Sequence, residues 1–363
     1  MKKILIFGLS STIGGVENFI YNLYQKIDKN NYDISFLTSE HIEGFYKTNL
    51  IDKYNIKLYE IPSLKKHPFQ CIKSLKRLSK ENAFDVVHIN LCSSQLFAYI
   101  YLLKIFSKYK FKIITHSHSS GESNFKRKIL HYLMRPLLVK NTDIYLSCSN
   151  VAAYWMYGKK IVSNNKVLLI NNAIDTDKFN YDVLTRNKIR DKMGYANNDF
   201  VVGHVGRFVP EKNQLFLINL LKHNKNIKLL LIGDGECKIE CQQMIEKEKL
   251  DDRIIILDSN DNVNEYYQAM DLFAMPSLFE GLPIVGIEAQ ASGLICLFSN
   301  NITKELDITG NCFYEKLDIL LWNKLINKII KTKYKRKGER QKVKNAGYDL
   351  CEEANKISDL YGK

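Results

Sequence analysis

Short apolar runs alternate with longer amphipathic segments along nearly the whole chain. In the first half, residues 4–7, 33–37, 86–89, 112–115 and 144–147 form apolar runs of strand length. Between them, residues 16–27, 71–81 and 95–106 carry apolar positions at helical spacing. Most of the short runs are continuously apolar rather than alternating, as expected of parallel strands covered by helices on both faces. Near residue 170 the pattern breaks into the polar, turn-rich NNAIDTDKFN, and residues 186–194 then predict a charged helix or lid. A second series follows at residues 201–205, 228–232, 254–257, 272–275 and 294–298. The pattern predicts an α/β protein of two doubly wound, Rossmann-like domains joined near residue 180. Ligands of such sheets bind beyond the carboxyl ends of the strands, which places the expected site in a cleft between the domains.

The length of 363 residues agrees with two cores, and 45% hydrophobic with 25% charged residues is globular. Charge is unevenly spread. Residues 1–180 hold 26 Lys+Arg against 13 Asp+Glu, and the rest hold 27 against 26. A basic first half points to an anionic partner or to a plain solvated lysine surface. No nucleic-acid recognition module is present, so nucleic acid is not expected. The basic run KTKYKRKGERQKVK (331–344) predicts a solvated helix. Eight cysteines lie scattered without a CxxC pair, and Cys237 and Cys241 share a helix face without making a metal set. The apolar start, residues 4–9, runs into Gly14, Gly15 and Glu17 without a cleavage site. No run approaches the ~18 apolar residues of a membrane span. A cytoplasmic protein is expected, peripheral at most on the inner face of the membrane.

Two stretches carry the candidate chemistry, GRFVPEKN (206–213) and FEGLPIVGIEAQASG (279–293). Arg207 offers a planar fork and Lys212 a compact charge, a suitable pair for neighbouring phosphates. Glu280 and Glu288 lie on either side of a Gly281-Leu282-Pro283 helix entrance. Pro283 suits a first helical position, which leaves Glu280 outside the helix and Glu288 more than a turn inside. Retaining glycosidases hold their carboxylates ~5 Å apart across one bond, so two separate contacts on an extended ligand fit better. Cations for a diphosphate and carboxylates for hydroxyls together suit a nucleotide sugar. The loop GLSSTIGG ends in Gly14 and Gly15 before a helix, whose N-terminus favours anions. It lacks GxGxxG and GK[ST], and so is neither a dinucleotide nor a Walker loop. His88 ends the strand DVVHI, and His116 and His118 follow KIIT, so all three are expected at one sheet edge. Asp175 and Asp177 form a DxD tripeptide in the linker, and no metal is assigned to them.

Taken together, GGVENF, DVVHIN, THSHS, NNAIDTDKF, GHVGRFVPEKN, LIGDGE and AMDLFAMPSLFEGLPIVGIEAQASG resemble the retaining GT-B-fold glycosyltransferases of family four. Within that family the chain is similar to bacterial exopolysaccharide and capsule enzymes. The resemblance implies an acceptor-side domain over residues 1–180 and a donor-binding domain over 181–345. A final helix (346–363) would pack back on the first domain. Arg207 and Lys212 would hold the donor diphosphate, aided by Gly14-Gly15 and by backbone amides at Gly281, Leu282 and Pro283. Glu280 would contact the donor sugar and Glu288 the ribose. His118, favoured over His116, would approach the reacting centre, and His118, Glu280, Arg207 and Lys212 form the implied catalytic set. The co-substrate would be a UDP-sugar, with GDP the alternative, and no cofactor or metal would be required. The acceptor would be a saccharide or lipid-linked saccharide. The basic segments 67–80 and 125–140 would meet an anionic membrane. A GT-B nucleotide-sugar epimerase and a non-enzymatic membrane-surface scaffold are the rival readings.

Overall fold

A computed structural model describes the chain except for Thr12, Ile13, Ser120, Ser123, Asn260, Asp261 and Lys363 and the side chains of Leu91 and Gln95. It divides into unit 1, Met1–Ala173 with Leu350–Lys363, and unit 2, Ile174–Asp349.

Unit 1 holds a seven-stranded parallel sheet ordered β3-β2-β1-β4-β5-β6-β7. The strands are β1 (Lys2–Phe7), β2 (Tyr32–Thr38), β3 (Lys57–Glu60), β4 (Val86–Leu91), β5 (Lys112–Ser117), β6 (Ile144–Ser147) and β7 (Val167–Leu169). Helices α1 (Gly15–Lys26), α2 (Pro68–Glu81), α3 (Phe97–Phe106), α4 (Phe125–Lys140), α5 (Asn150–Tyr157) and α6 (Lys159–Ser163) connect them. Alternate residues of β1 face opposite cores, as a two-residue period requires. Ile4 and Ile6 pack with Phe19 and Ile20 of α1, whereas Leu5 and Phe7 pack with Leu75 of α2 and Ile100 of α3. Complete burial of each such side chain contributes about 1.5–3 kcal/mol, which is why this strand shows no polar alternation.

Unit 2 holds a six-stranded parallel sheet ordered β10-β9-β8-β11-β12-β13. Its strands are β8 (Val201–Val205), β9 (Lys228–Ile232), β10 (Ile254–Leu257), β11 (Leu272–Met275), β12 (Ile295–Ser299) and β13 (Cys312–Glu315). Its helices are α7 (Val183–Lys192), α8 (Gln214–Lys222), α9 (Lys238–Glu248), α10 (Val263–Ala269), α11 (Ile284–Ala291), α12 (Ile319–Lys331) and α13 (Arg340–Asn345). One face packs on α8, α9 and α12 around Leu217, Ile245 and Trp322; the other packs on α10, α11 and α13 around Tyr267, Ile287 and Val343. In both sheets the strand order reverses beside the first strand, creating a switch point between β1 and β4 and another between β8 and β11.

Several sequence-based expectations need correction. The domain junction lies at Ala173/Ile174, not near 180, because residues 174–180 are stitched into unit 2. Ile174 N–H donates to the Tyr348 carbonyl (3.0 Å), Thr176 Oγ1 donates to Asp349 Oδ2 (2.5 Å), and Phe179 stacks edge-on with Tyr267. The C-terminal helix α14 (Leu350–Gly362) starts four residues later than expected, and residues 346–349 belong to unit 2. Strands β3 and β13 escape the apolar-run criterion as short sheet edges with exposed or half-exposed residues, whereas β7 lies in an apolar run, residues 167–170, that the predicted strand series leaves out. Of the two expectations for the charged segment 186–194, the helix holds, as α7, and the lid does not. Arg186 and Arg190 of α7 both pair with Asp271, and Asp271 also accepts the Val201 N–H.

The basic run 331–344 is not one solvated helix either. Helix α12 stops at Lys331 and α13 starts at Arg340. Between them Arg336 turns inward and donates to the carbonyls of Ser292, Gln268 and Met270 (2.7–3.1 Å). Its guanidinium also lies 4.5 Å over the Tyr181 ring, and burial pulls its pKa down to about 9.

Candidate functional site

The candidate donor site grows from the loops that follow β8 and β11, the two strands flanking the switch point of unit 2. After β8, Gly206 and Arg207 leave the sheet edge, a 3-10 turn (Pro210–Lys212) follows, and Asn213 adopts a left-handed conformation (φ 56°) before α8. The segment is fixed by its neighbours. Gly206 N–H donates to the Ile232 carbonyl (3.0 Å), Phe208 N–H to Asp234 (2.8 Å), and Cys237 N–H to Phe208 (2.9 Å). A Cβ on Gly233 (φ +148°) would fall 2.1 Å from the Gly206 oxygen, so the LIGDGE stretch must carry glycine there. Underneath, Gln214 Nε2 donates to the Arg207 carbonyl (2.8 Å) and lies 3.3 Å from His204 Nε2. The Nδ1–H of that imidazole donates to the Ala274 carbonyl (2.9 Å), and burial holds its pKa down at about 4.

Arg207, Lys212 and Glu280 line one cavity of about 660 Å³, together with Val209, Pro210, Glu211, Glu236 and Phe279. Lys212 Nζ sits 2.5 Å from Glu280 Oε1, with side chains only 19% and 12% exposed. Arg207 is exposed, and among the described residues no hydrogen bond or ion pair engages its guanidinium. The Leu278 N–H donates to the Glu211 carbonyl (2.8 Å), tying the two loops together. The wall is more acidic than the sequence motifs imply, because Glu211 and Glu236 join Glu280. An acceptor-rich wall suits hydroxyl groups, and the free Arg207 supplies the charge for an anion.

Gly281, Leu282 and Pro283 form the turn out of this wall. Pro283 is the cap residue of α11, one position earlier than expected, and no side chain caps that helix end. Glu288 sits further along α11, half-buried, and its Oε2 accepts from the Tyr267 hydroxyl at 2.8 Å. Desolvation raises its pKa to about 7, with the Tyr267 bond partly opposing the shift. It is not among the residues that line the Lys212–Glu280 cavity.

In unit 1 the candidate residues lie at the carboxyl edge of the sheet. At the start of α1 an acidic side chain, Glu17, lies beside Gly14, and among the described residues no side chain caps that helix end. The Glu17 carboxylate accepts from Ser10 Oγ (2.5 Å), and a Cβ on Gly14 would lie 2.6 Å from Glu17 Oε2. Gly14 thus accommodates Glu17, whereas Gly15 faces open space. The acidic residue in the first helical turn was the available signal for this arrangement.

The three histidines form a row with a shared aromatic cover, but they do not share one surface. His88 lies inside β4, which runs on to Leu91, and its buried ring meets the Tyr361 hydroxyl. His116 is wholly buried. Only His118 is half-exposed, so the expectation of three histidines at the edge holds for one. Asn90 Nδ2 donates to the Phe7 carbonyl (3.2 Å), which turns its Oδ1 toward His118 Nε2 (2.9 Å). His118 therefore carries its proton on Nε2 and presents a lone pair at Nδ1. Burial and the neighbouring His88 push its pKa down to about 3, so it is a neutral hydrogen-bonding group at physiological pH. Of the linker aspartates, Asp177 ion-pairs with Arg340.

Comparisons with known proteins bear on the fold and the family. The family description "Glycosyltransferase Family 4" matches residues 13–178, and "Glycosyl transferases group 1" matches residues 185–349. The chain is 27% identical to EpsF of Bacillus subtilis (strain 168), a glycosyltransferase by assignment, over 99% of this chain and 96% of that one. It is 23% identical to the UDP-Gal:alpha-D-GlcNAc-diphosphoundecaprenol alpha-1,3-galactosyltransferase of Escherichia coli, again over 99% and 96% of the two chains. Among solved structures, Anabaena HepE in complex with UDP and glucose superposes with a TM-score of 0.76 at 18% identity over the full length of both chains, a likeness of fold. The two parallel-sheet units are those of the GT-B architecture. With family descriptions matching both halves, the chain belongs to the group 1 glycosyltransferases.

Proposed function

We propose that this enzyme transfers a sugar, with retention, from a UDP-sugar to a saccharide or lipid-linked saccharide during synthesis of a cell-surface polysaccharide. The observation that carries the reading is the Lys212–Glu280 pair beside an unpaired Arg207 at the unit 2 switch point. As donor enters, Lys212 Nζ exchanges part of its bond to Glu280 for a phosphate oxygen, and Glu280 accepts sugar hydroxyls. Arg207 takes the second phosphate, and uncapped amides at the start of α11 add anion contacts. The anomeric C–O bond to the diphosphate breaks as the acceptor oxygen bonds to the same face, and the acceptor proton passes to the departing phosphate. Fixed cations stabilise that departing charge best when preorganised, and in this reading no divalent ion is needed. Glu288 contacts the ribose, and neutral His118 is the unit 1 group assigned to the donor sugar. The UDP carrier is supported by the names of the E. coli relative and the HepE complex. Thermal-shift screening of UDP- and GDP-sugars, then mass spectrometry of the product from the best donor, tests the proposal. A UDP-sugar should give the largest stabilisation, and stabilisation by none of them would overturn it.

The lipid-linked acceptor brings a membrane surface into the proposal. Among the described residues no helix is long and apolar enough to cross a membrane. Helix α4, however, contains no acidic residue, carries Lys126, Arg127, Lys128, Arg135 and Lys140, and leaves Phe125 74% and Leu133 67% exposed. Helix α2 buries Cys71, Leu75 and Leu78 and offers only Phe69 as an exposed large apolar group, so α4 is the stronger docking element. Each well-placed cation adds about 1 kcal/mol at an anionic surface. Wild-type protein should float with phosphatidylglycerol vesicles at physiological salt, and Leu133→Glu should not. Failure to float with phosphatidylglycerol vesicles would remove the membrane from the proposal, and equal flotation with neutral vesicles would remove the anionic preference given to α4.

A further inference from the structure

The C-terminal helix reaches the histidine row from the side opposite its exposed end. Tyr361 is fully buried, and its hydroxyl lies 2.6 Å from His88 Nδ1. The His88 ring stacks on His116, with planes 11° apart and centroids 5.7 Å apart. His116 in turn lies 4.1 Å from His118, centroid to centroid. Phe19 covers both of the latter rings, edge-on to His116 at 4.7 Å and tilted to His118 at 5.0 Å.

This row is costly as plain packing. Among the described residues, His88 Nε2, both nitrogens of His116 and His118 Nδ1 are buried without a hydrogen-bond partner. Aliphatic side chains at positions 88 and 116 would fill comparable space without stranding polar atoms. What the imidazoles provide instead is flat, orientable contact. Each ring is fixed by the next, and two polar ends hold the row, Tyr361 at one and Asn90 at the other.

We propose that Tyr361 is a positioning residue for His118, acting through His88 and His116. Its hydroxyl fixes the rotation of the His88 ring. Through the stack, that rotation sets the planes of His116 and of His118. Asn90 alone fixes one nitrogen of His118, and the ring needs a second constraint to keep a single orientation. The effect on catalysis rests on His118 facing the donor sugar, as in the function proposed above; the effect on His118 itself does not.

Tyr361→Phe removes the hydroxyl and keeps the ring. Tyr32→Phe is the matched control, because the Tyr32 hydroxyl donates to the Ser358 carbonyl of the same helix (2.7 Å) without touching the histidines. Thermal melts verify that both variants fold, and imidazole 15N resonances of histidine-labelled protein report the state of His118. In Tyr361→Phe, the His118 resonances should shift or broaden, and kcat should fall about tenfold with donor KM within about twofold. Tyr32→Phe should leave both as in wild type. Unchanged His118 resonances in Tyr361→Phe, or equal changes in the control, would overturn the proposal. Shifted resonances with wild-type kcat would uphold the coupling and overturn the catalytic place given to His118.

Discussion

Lys212→Ala is expected to lower kcat with the best UDP-sugar by about 10²–10³-fold, equivalent to ~2.7–4 kcal/mol of lost transition-state stabilisation. The size follows from the site. The ammonium lies in a partly desolvated wall, 2.5 Å from Glu280, where a fixed charge acts more strongly than in water. In the proposed mechanism it serves two partners, Glu280 at rest and the diphosphate as that group departs. Its removal therefore withdraws a cation from the leaving group and leaves the Glu280 carboxylate unpaired beside incoming negative charge. Glu280→Gln keeps a hydrogen-bond acceptor for Lys212 and frees more of its charge for phosphate, so its loss should come from the sugar side. Because the two side chains touch, the double variant should lose much less than the sum of the single losses in free energy. Steady-state kinetics on the three variants measures this. A Lys212→Ala enzyme within threefold of wild type would remove this pair from the mechanism.

Glu288→Gln is expected to stabilise the protein at pH 8 and to leave its stability unchanged near pH 4. Burial raises the Glu288 pKa from 4.5 to about 7 in the folded protein. Between those values the folded chain holds a proton that the unfolded chain has released. Stability contributed at this position is therefore intact below about 4.5, falls as pH rises toward 7, and stays reduced above it. The full difference is at most about 3 kcal/mol. Glutamine cannot ionise, yet still offers Tyr267 an oxygen acceptor. The gap in melting temperature should open between pH 4.5 and 7 and reach several degrees, at about 2–4 °C for each kcal/mol. A gap that widens toward acid would contradict the assignment. Under the proposed ribose contact the same variant should also bind donor more weakly, a trade of stability against binding.

Much of this architecture is legible in the chain, for a physical reason. Interior parallel strands such as β8, β9 and β11 are packed on both faces, so their sequences are nearly unbroken apolar runs. The edge strands β3 and β13 are packed less completely and set their apolar residues beside charged ones, whereas β7 is apolar in sequence yet leaves Leu168 and Leu169 exposed. Arg207, Lys212 and Glu280 could be picked out because charged residues stand beside turn-forming glycine and proline at the ends of apolar runs. The environment that tunes a side chain is less visible. Glu288 depends on Tyr267, twenty-one residues away, and His88 depends on Tyr361, 273 residues away. Local patterning also misplaced Arg336, because a lysine-rich neighbourhood resembles a solvated surface whichever residue in it turns inward. The three histidines are all expected at one edge from the sequence, but β4 continues past His88 and β5 past His116, which makes both core rings and leaves His118 beyond its strand.

The return of α14 to unit 1 sets an order of events on the ribosome. The strands of that sheet are all made before Ala173. The residues that complete its core, Ile357, Leu360 and Tyr361, emerge only after the whole of unit 2 has been translated. At about 5–20 residues per second that delay is on the order of 10–35 s. Throughout it the nascent chain exposes the apolar surface around Ile4, Ile34 and Phe36 that α14 later covers. The half that is made first is finished last, and a chain cut short after Asp349 would hold every histidine of the row while lacking the hydroxyl that anchors it.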